Sequence, residues 1–233
     1  MSASVMSAFG ATRTTDRESI AVEVRTRRPV ECWSPETFAR EQIRGLVRQI
    51  FSPNAAQQMR QVVFSGIESD TDVSHLCRRV GETLAEERIG EVAIVGAGAL
   101  FSAEGRLHDP PAEYASADRS APFTELGTRV RRNCWLVPAA EYSSAESLLA
   151  FLAAIRREFE SSVVEAPPTA ESGQAMMMAQ FADGFVLVLS AQNTRRASAR
   201  RIKQAVEQAQ VRLLGTVLSD REFPIPEALY RRL

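Results

Sequence analysis

The feature that most constrains the fold is an alternation, from residue 61 onward, of short apolar runs with segments of helical periodicity. In each helical segment the apolar residues recur every three or four positions, which places them on one face of a helix. Repeated strand-then-helix units require right-handed crossovers between parallel strands. The sequence therefore predicts an α/β fold with a doubly wound, mostly parallel sheet. The expected strands are residues 61–67, 91–95, 134–137, 161–165, 185–190 and 211–218.

Capping signals and periodicity mark the helices. Ser34 provides a capping hydroxyl, Pro35 suits the first helical position, and Glu36 favours the first turn. The clearest periodicity lies in residues 143–159, where four apolar residues share one face. These four are Leu148, Leu152, Ile155 and Phe159. The other expected helices are residues 71–88, 171–181 and 194–209.

Two further packing predictions concern the C-terminal half of the chain. Residues 185–190 (FVLVLS) are apolar on both faces, which predicts a central strand of a parallel sheet. The run Met176, Met177 and Met178 fits a helix packed into the core better than it fits a binding groove.

The length of 233 residues suits a single α/β domain. Residues 1–33 are rich in Ser, Thr and Arg, and we expect a mobile N-terminal arm there. Residues 34–233 are then one domain, with an irregular insertion at 101–128 that is rich in Pro and Ala.

Charge, cysteine content and hydropathy exclude several classes of protein. Lys plus Arg number 28 against 29 Asp plus Glu, so no general basic field exists to hold nucleic acid. Cys32, Cys77 and Cys134 are odd in number and widely spaced, which fits a reducing compartment. No secretory signal is recognisable, and no run approaches the ~20 apolar residues that span a bilayer. We therefore expect a cytoplasmic protein.

The first strand-to-helix turn is where a ligand is expected, because parallel sheets bind ligands at the carboxyl ends of their strands. A phosphate-binding loop needs glycines, a lysine and a hydroxyl for Mg²⁺. Ser74 offers the hydroxyl, but Val73 stands where the lysine belongs. Glu68, Asp70 and Asp72 would repel a triphosphate, each pair of like charges costing about 1 kcal/mol or more. Asp70 or Asp72 is instead predicted to cap the following helix.

Two further features of the sequence bear on binding. His75 and Cys77 lie two positions apart on a predicted helix and so point to different faces, which argues against a metal site. The helix 194–209 carries a basic face, which is either simply solvated or contacts an anionic partner or lipid surface. The cations of that face are Arg195, Arg196, Arg200, Arg201 and Lys203.

Several stretches of the chain resemble the bacterial tyrosine autokinases of capsule and exopolysaccharide export, which belong with the chromosome-partitioning P-loop ATPases. The resemblance implies a P-loop NTPase-like, three-layer fold. In the N-terminal helix, Glu41 and Arg44 match the family's Glu-x-x-Arg-x-x-Arg pattern for subunit contacts, whereas Val47 replaces the second Arg and Arg48 lies one place late. The stretches that carry the resemblance are residues 34–51, 61–85, 91–100, 159–191 and 193–233.

The chain departs from this family where its chemistry is performed. Val73 replaces the Walker A lysine, and Gly96 and Gly98 stand in place of the aspartates of the second acidic motif. Glu165 occupies the position of the third motif's aspartate, and only Tyr230 remains of the family's C-terminal tyrosine cluster. Phosphoryl transfer depends on positioning and on charge neutralisation by lysine and Mg²⁺. These departures predict a pseudoenzyme.

We therefore expect a non-catalytic adaptor or regulator in exopolysaccharide or capsule synthesis and export, with no catalytic residue, metal or cofactor. Its expected partner is a membrane-embedded chain-length or export protein, or an active kinase relative, which would hold it at the inner membrane. Glu41, Arg44 and Arg48 are the expected contacts in a homo- or hetero-oligomer, because charges one helical turn apart can pair across an interface.

The alternative is a divergent ATP-binding tyrosine kinase or ATPase. Ser74 and Glu165 would then hold Mg²⁺, and Arg78 or an arginine of a neighbouring subunit would replace the lysine. The nucleotide would lie against the backbone N–H groups of Ser69, Asp70, Thr71, Asp72, Val73 and Ser74.

Overall fold

The computed structural model describes residues 34–52, 58–88, 90–96, 122–139 and 144–219. The helices are α1 (Pro35–Ile50), α2 (Val73–Glu87), α3 (Phe123–Leu126), α4 (Ala145–Glu158), α5 (Gln174–Phe181) and α6 (Arg196–Gln208). The strands are β1 (Gln61–Gly66), β2 (Val92–Gly96), β3 (Thr128–Arg131), β4 (Cys134–Pro138), β5 (Ser161–Glu165), β6 (Gly184–Ser190) and β7 (Leu213–Ser219). The predicted alternation of strands and helices is confirmed.

Within the described residues, seven strands form one sheet in the order β3-β4-β2-β5-β1-β6-β7. All neighbouring strands are parallel except β3 and β4. One face of the sheet packs against α4, α5 and α6, and the other packs against α1 and α2. The result is the predicted α/β fold, with three layers and a mostly parallel sheet.

Local capping explains where two of the helices begin. The Ser34 hydroxyl accepts a hydrogen bond from the Thr37 amide at 3.0 Å, and Pro35 follows as the first helical residue. Ser144 caps α4 by accepting from the Ser147 amide at 3.1 Å. The four apolar residues predicted to share one face of α4 are all buried. The start of α1 is as predicted, whereas α4 begins two residues after the predicted 143.

Two sequence predictions need correction. Strand β6 is an inner strand but lies second from the edge, and β5 occupies the centre of the sheet. Both faces of β6 are covered all the same, because Phe185 and Leu187 pack in the core on one side of the sheet and Val186 and Val188 pack on the other. Apolar faces therefore do not fix the strand order. Residues 122–128 are not irregular, since they include α3 and the first residue of the antiparallel edge strand β3.

Some predictions concern residues outside the described part of the chain. These are the arm 1–33, residues 101–121, Gly98 and Tyr230.

The methionines of α5 pack as predicted. Met178 is buried, and Met176 and Met177 pack against the same core. None of the helices in the described segments is long and apolar enough to cross a membrane.

Candidate functional site

The adjacent strands β1 and β5 place the candidate site. Phe64 of β1 lies beside Glu165 of β5 in the parallel register, so both strands end at the same edge of the sheet. A cleft of about 480 Å³ opens there, lined by residue 66, residues 68–74 and residues 165–168. The structure thus brings together the first strand-to-helix turn and Glu165, the two parts named in the alternative function.

Ser74 and Glu165 form a direct contact inside this cleft. The Ser74 hydroxyl donates to Glu165 Oε1 at 2.5 Å, and Glu165 is only 9% exposed. A hydrogen bond to a charged acceptor is about twice as strong as one between neutral groups. Both groups that the sequence proposed for Mg²⁺ are therefore engaged with each other.

Val73, at the position expected for a lysine, is part of the core. It is 6% exposed and packs with the apolar residues between the sheet and α2. A Cβ placed on Gly66 would lie 3.2 Å from Val73 Cγ2 and 3.1 Å from Thr71 Cβ. The turn is therefore closed tightly over Gly66 by its own side chains.

Asp72 caps α2. Its carboxylate accepts a hydrogen bond from the His75 amide at 3.0 Å, which confirms one of the two capping residues proposed from the sequence. Asp70 is exposed in the preceding turn. An acidic cap also interacts favourably with the helix dipole, so Asp72 has a sufficient structural role.

Three further amides of this turn are bonded within the chain. The Ser69 N–H donates to Glu171 Oε1 at 3.2 Å. The Thr71 N–H donates to the Glu68 carbonyl at 3.4 Å, and the Val73 N–H donates to the Thr71 carbonyl at 2.8 Å. Amides of this kind hold the phosphates in a phosphate-binding loop. Here a carboxylate and two carbonyls of the chain accept them instead.

The turn is also joined to the connection between β5 and α5. The Ser65 hydroxyl donates to the Pro167 carbonyl at 2.7 Å. The Gly66 carbonyl accepts from both the amide and the hydroxyl of Thr169, at 2.9 and 3.0 Å. These partners and Glu171 lie about a hundred residues from the turn, so no local pattern in the sequence could have indicated them.

The charged side chains that line the cleft are all acidic. Its lining includes the carboxylates of Glu68, Asp70, Asp72 and Glu165, and no Lys or Arg of the described residues lines it. Burial raises the pKa of the Cys77 thiol well above its ordinary value, and the carboxylates of Glu165 and Asp72 raise it further. The residues present do not fit a triphosphate, since they supply negative charge where phosphates need positive charge.

The other residues proposed for nucleotide chemistry lie elsewhere. Arg78, proposed as a substitute for the lysine, forms an ion pair with Glu82 at 3.0 Å and does not line the cleft. Gly96 is the last residue of β2, where its carbonyl accepts from the Ala139 amide at 2.9 Å. It brings no carboxylate to the edge of the sheet.

The charged residues proposed for subunit contacts have partners within the chain. Arg44 pairs with Glu41 at 2.9 Å within α1, and Arg48 pairs with Glu87 of α2 at 3.0 Å. Arg48 is 70% exposed, and exposed ion pairs of this kind contribute little to stability. The first pair lies within α1 and the second joins α1 to α2, and none of these four residues lines the acidic cleft.

The histidines and cysteines of the described residues form neither a metal site nor a reactive thiol. In the part of the chain that the structure describes, no group of three or more His, Cys, Asp or Glu side chains is arranged to hold a metal ion. His75 is exposed, whereas Cys77 is buried. Burial, followed by the Glu82 carboxylate, raises the pKa of Cys134 to about 12, so this thiol stays protonated at neutral pH.

Comparisons with known proteins agree with this geometry at the level of the fold. No family model and no curated protein matches the sequence. Among solved structures, the chimerical protein CapA2B2 is similar at 16% identity and a TM-score of 0.65, covering 81% of this chain and 86% of that one. The kinase domain of VpsO is similar at 17% identity and a TM-score of 0.64, covering 80% and 98%.

The kinase domain of the Escherichia coli tyrosine kinase ETK is similar at 13% identity and a TM-score of 0.63, covering 81% of this chain and 79% of that one. A MinD cell-division protein and a plasmid partition protein share the fold as well, at TM-scores of 0.54 and 0.53. This chain therefore has the three-layer α/β fold of these proteins, and several of them are tyrosine kinase domains.

Proposed function

We propose that this chain is a non-catalytic, tyrosine-kinase-like adaptor or regulator in exopolysaccharide or capsule synthesis and export. The observation that carries the proposal is the acidic cleft at the site where P-loop proteins bind nucleotide. Four carboxylates line it, and no cation of the described residues does. The fold is retained, while the groups that neutralise phosphate charge are replaced.

The energetics support the loss of nucleotide chemistry. A phosphate group brought near Glu68, Asp70 or Asp72 meets like charges, at a cost of about 1 kcal/mol or more for each pair near a surface. Releasing the Ser69 amide for a phosphate would also require breaking its bond to Glu171. Transition-state stabilisation would need several kcal/mol from cations that the cleft does not contain.

A second candidate, a divergent Mg-ATP-dependent kinase or ATPase, rests on one observation. Ser74 and Glu165 lie 2.5 Å apart, so a hydroxyl and a carboxylate are already together at the helix start. In that function Ser74 and Glu165 would hold Mg²⁺ and an arginine from a neighbouring subunit would approach the phosphates. Oxygen ligands of this type suit Mg²⁺.

Calorimetric titration with Mg-ATP and Mg-ADP separates the two functions. The adaptor predicts no saturable heat and no shift in thermal stability, whereas a ligand at 100 times its Kd adds about 2.7 kcal/mol of stability. Saturable heat that is lost in Ser74→Ala and in Glu165→Gln would contradict the adaptor and establish the divergent enzyme. Ser198→Ala, a serine change at the start of α6, is the matched control.

The proposed adaptor would act through its partner. We infer that the partner is a membrane-embedded chain-length or export protein, or an active kinase relative, and that it holds the chain at the cytoplasmic side of the inner membrane. Glu41, Arg44 and Arg48 of α1 remain the proposed contacts. Because Arg44 and Glu41 already pair within the helix, Glu41→Arg would place two cations side by side and should weaken assembly measured by light scattering.

A further inference from the structure

We propose that the acidic cleft of one copy of this chain binds the basic face of α6 of a second copy. The acidic cleft is the turn between β1 and α2 together with Glu165. The basic face consists of Arg195, Arg196, Arg200, Arg201 and Lys203. This contact rests on the proposed function, because a cleft that held Mg-ATP would not be open to a protein side chain.

Both surfaces belong to the same edge of the sheet. Strand β6 lies beside β1, with Val188 opposite Gly66 in the register. The acidic turn follows β1 directly, and α6 follows β6 after a short turn that ends at Arg195. The acidic turn and the start of α6 therefore meet at the same edge of the sheet, from which α2 and α6 continue on opposite faces.

The cations of the basic face are exposed and mostly without ion pairs. Arg195, Arg196, Arg200 and Arg201 are exposed and form no ion pair with any described residue, whereas Lys203 lies 3.6 Å from Glu207. The first turn of α6 contains no acidic residue. Cations at a helix N-terminus are unfavourable for the helix dipole, so this arrangement does not serve the stability of α6.

The acidic cleft has matching unused groups. Glu68 and Asp70 form no ion pair within the described part of the chain. Thr71 lines the same cleft but is only 7% exposed, and its buried hydroxyl has no hydrogen-bond partner among the described residues. The cleft therefore offers an arginine the carboxylates of Glu68 and Asp70.

A second copy fits the charges of this edge better than a partner of a single sign of charge does. An anionic bilayer would attract the basic face but repel the acidic cleft beside it, and a purely cationic partner would do the opposite. A second copy offers a partner of opposite charge to both surfaces, because two-fold pairing sets the acidic cleft of each copy against the basic face of the other. Each favourable contact then occurs twice.

Charge reversal on both sides tests the contact. One variant carries Glu68→Lys and Asp70→Lys, and the other carries Arg200→Glu and Arg201→Glu. These four side chains make no hydrogen bond or ion pair within the described residues, so folding should be kept and is checked by circular dichroism. Sedimentation velocity on the full chain, without nucleotide, measures self-association at about 50 mM and about 500 mM salt, which brackets strong and weak screening.

The expected result is a salt-sensitive dimer of the wild type and at least a tenfold higher dissociation constant for each variant alone. An equimolar mixture of the two variants should dimerise again, because the reversed cleft of one then faces the reversed helix of the other. Arg132→Glu with Arg157→Glu changes the net charge as Arg200→Glu with Arg201→Glu does, so it is the matched control for that variant and should dimerise like the wild type. Both control arginines are exposed.

Three results would overturn the contact: a wild type that stays monomeric, a mixture that does not associate, or a control that weakens association as much as the variants do. The calorimetric titration is read separately. No nucleotide binding together with no dimer refutes the contact and leaves the adaptor, whereas nucleotide binding in the cleft refutes the adaptor and the contact together.

Discussion

Two neighbouring turns at the carboxyl edge of the sheet have the same topological position and different chemistry. The first turn, residues 67–72, is acidic and is bonded to the connection between β5 and α5. The second turn, residues 191–195, is held by local bonds between Ser190 and Thr194, at 2.9 and 3.0 Å. It leads into a helix with exposed arginines. The first turn is therefore part of the structural framework, whereas the second presents charge to the outside.

The largest expected difference in stability between the two turns concerns a serine near the start of the following helix. This serine is Ser74 in α2 and Ser198 in α6. Ser74→Ala removes the donor to the buried carboxylate of Glu165, and a hydrogen bond to a charged group contributes about 1.5–3 kcal/mol. The free energy of unfolding, measured with urea, should fall by that amount. Ser198→Ala at the start of α6 is the control and should change it by less than about 0.5 kcal/mol. Equal losses in the two variants would contradict the difference between the turns.

The fold was accessible from the sequence because its signals are local. Each parallel strand is an apolar run, and the capped helices begin at the position that Ser34 indicated and within two residues of the start of the periodic segment 143–159. Strand β3 was not predicted, since Thr128–Arg131 (TRVR) alternates exposed arginines with half-buried residues and has no apolar run. The order of the strands was also inaccessible, because pairing partners far apart in the chain leave no local trace.

The sequence predicted the position and the acidic character of the candidate site, but only a few of its contacts. The absence of the lysine at Val73 and the acids around it are visible in the sequence, and Asp72 caps α2 as expected. The bond from Ser69 to Glu171 joins residues 102 positions apart. Nothing near Glu171 in the sequence distinguishes it from a solvated glutamate. Only the folded chain reveals that its carboxylate accepts a hydrogen bond from an amide of the turn.

The helix cap of the first turn gives a smaller expected effect. Asp72→Ala removes the acceptor for the His75 amide, which should lower the free energy of unfolding by about 1 kcal/mol. Asp72→Asn keeps a capping oxygen and should cost only a few tenths of a kcal/mol, since Asn and Asp cap about equally well. If both variants lost the same stability in urea unfolding, the charge of Asp72 rather than its cap would be what the turn requires.

The smallest expected effect is a gain in the free energy of unfolding, and it concerns the residue directly after the second turn. Arg196 is the first residue of α6, where a cation opposes the helix dipole. Arg196→Ala should therefore raise the free energy of unfolding by about 0.3–1 kcal/mol at low salt. Arg196→Lys keeps the charge and is the control, with no expected change. Urea unfolding at about 20 mM and about 1 M salt measures both, and the gain should vanish at high salt because screening removes the dipole interaction. A lower free energy of unfolding in Arg196→Ala would mean that this arginine stabilises α6. The charge that follows the second turn would then have a structural role, as the acidic residues of the first turn do.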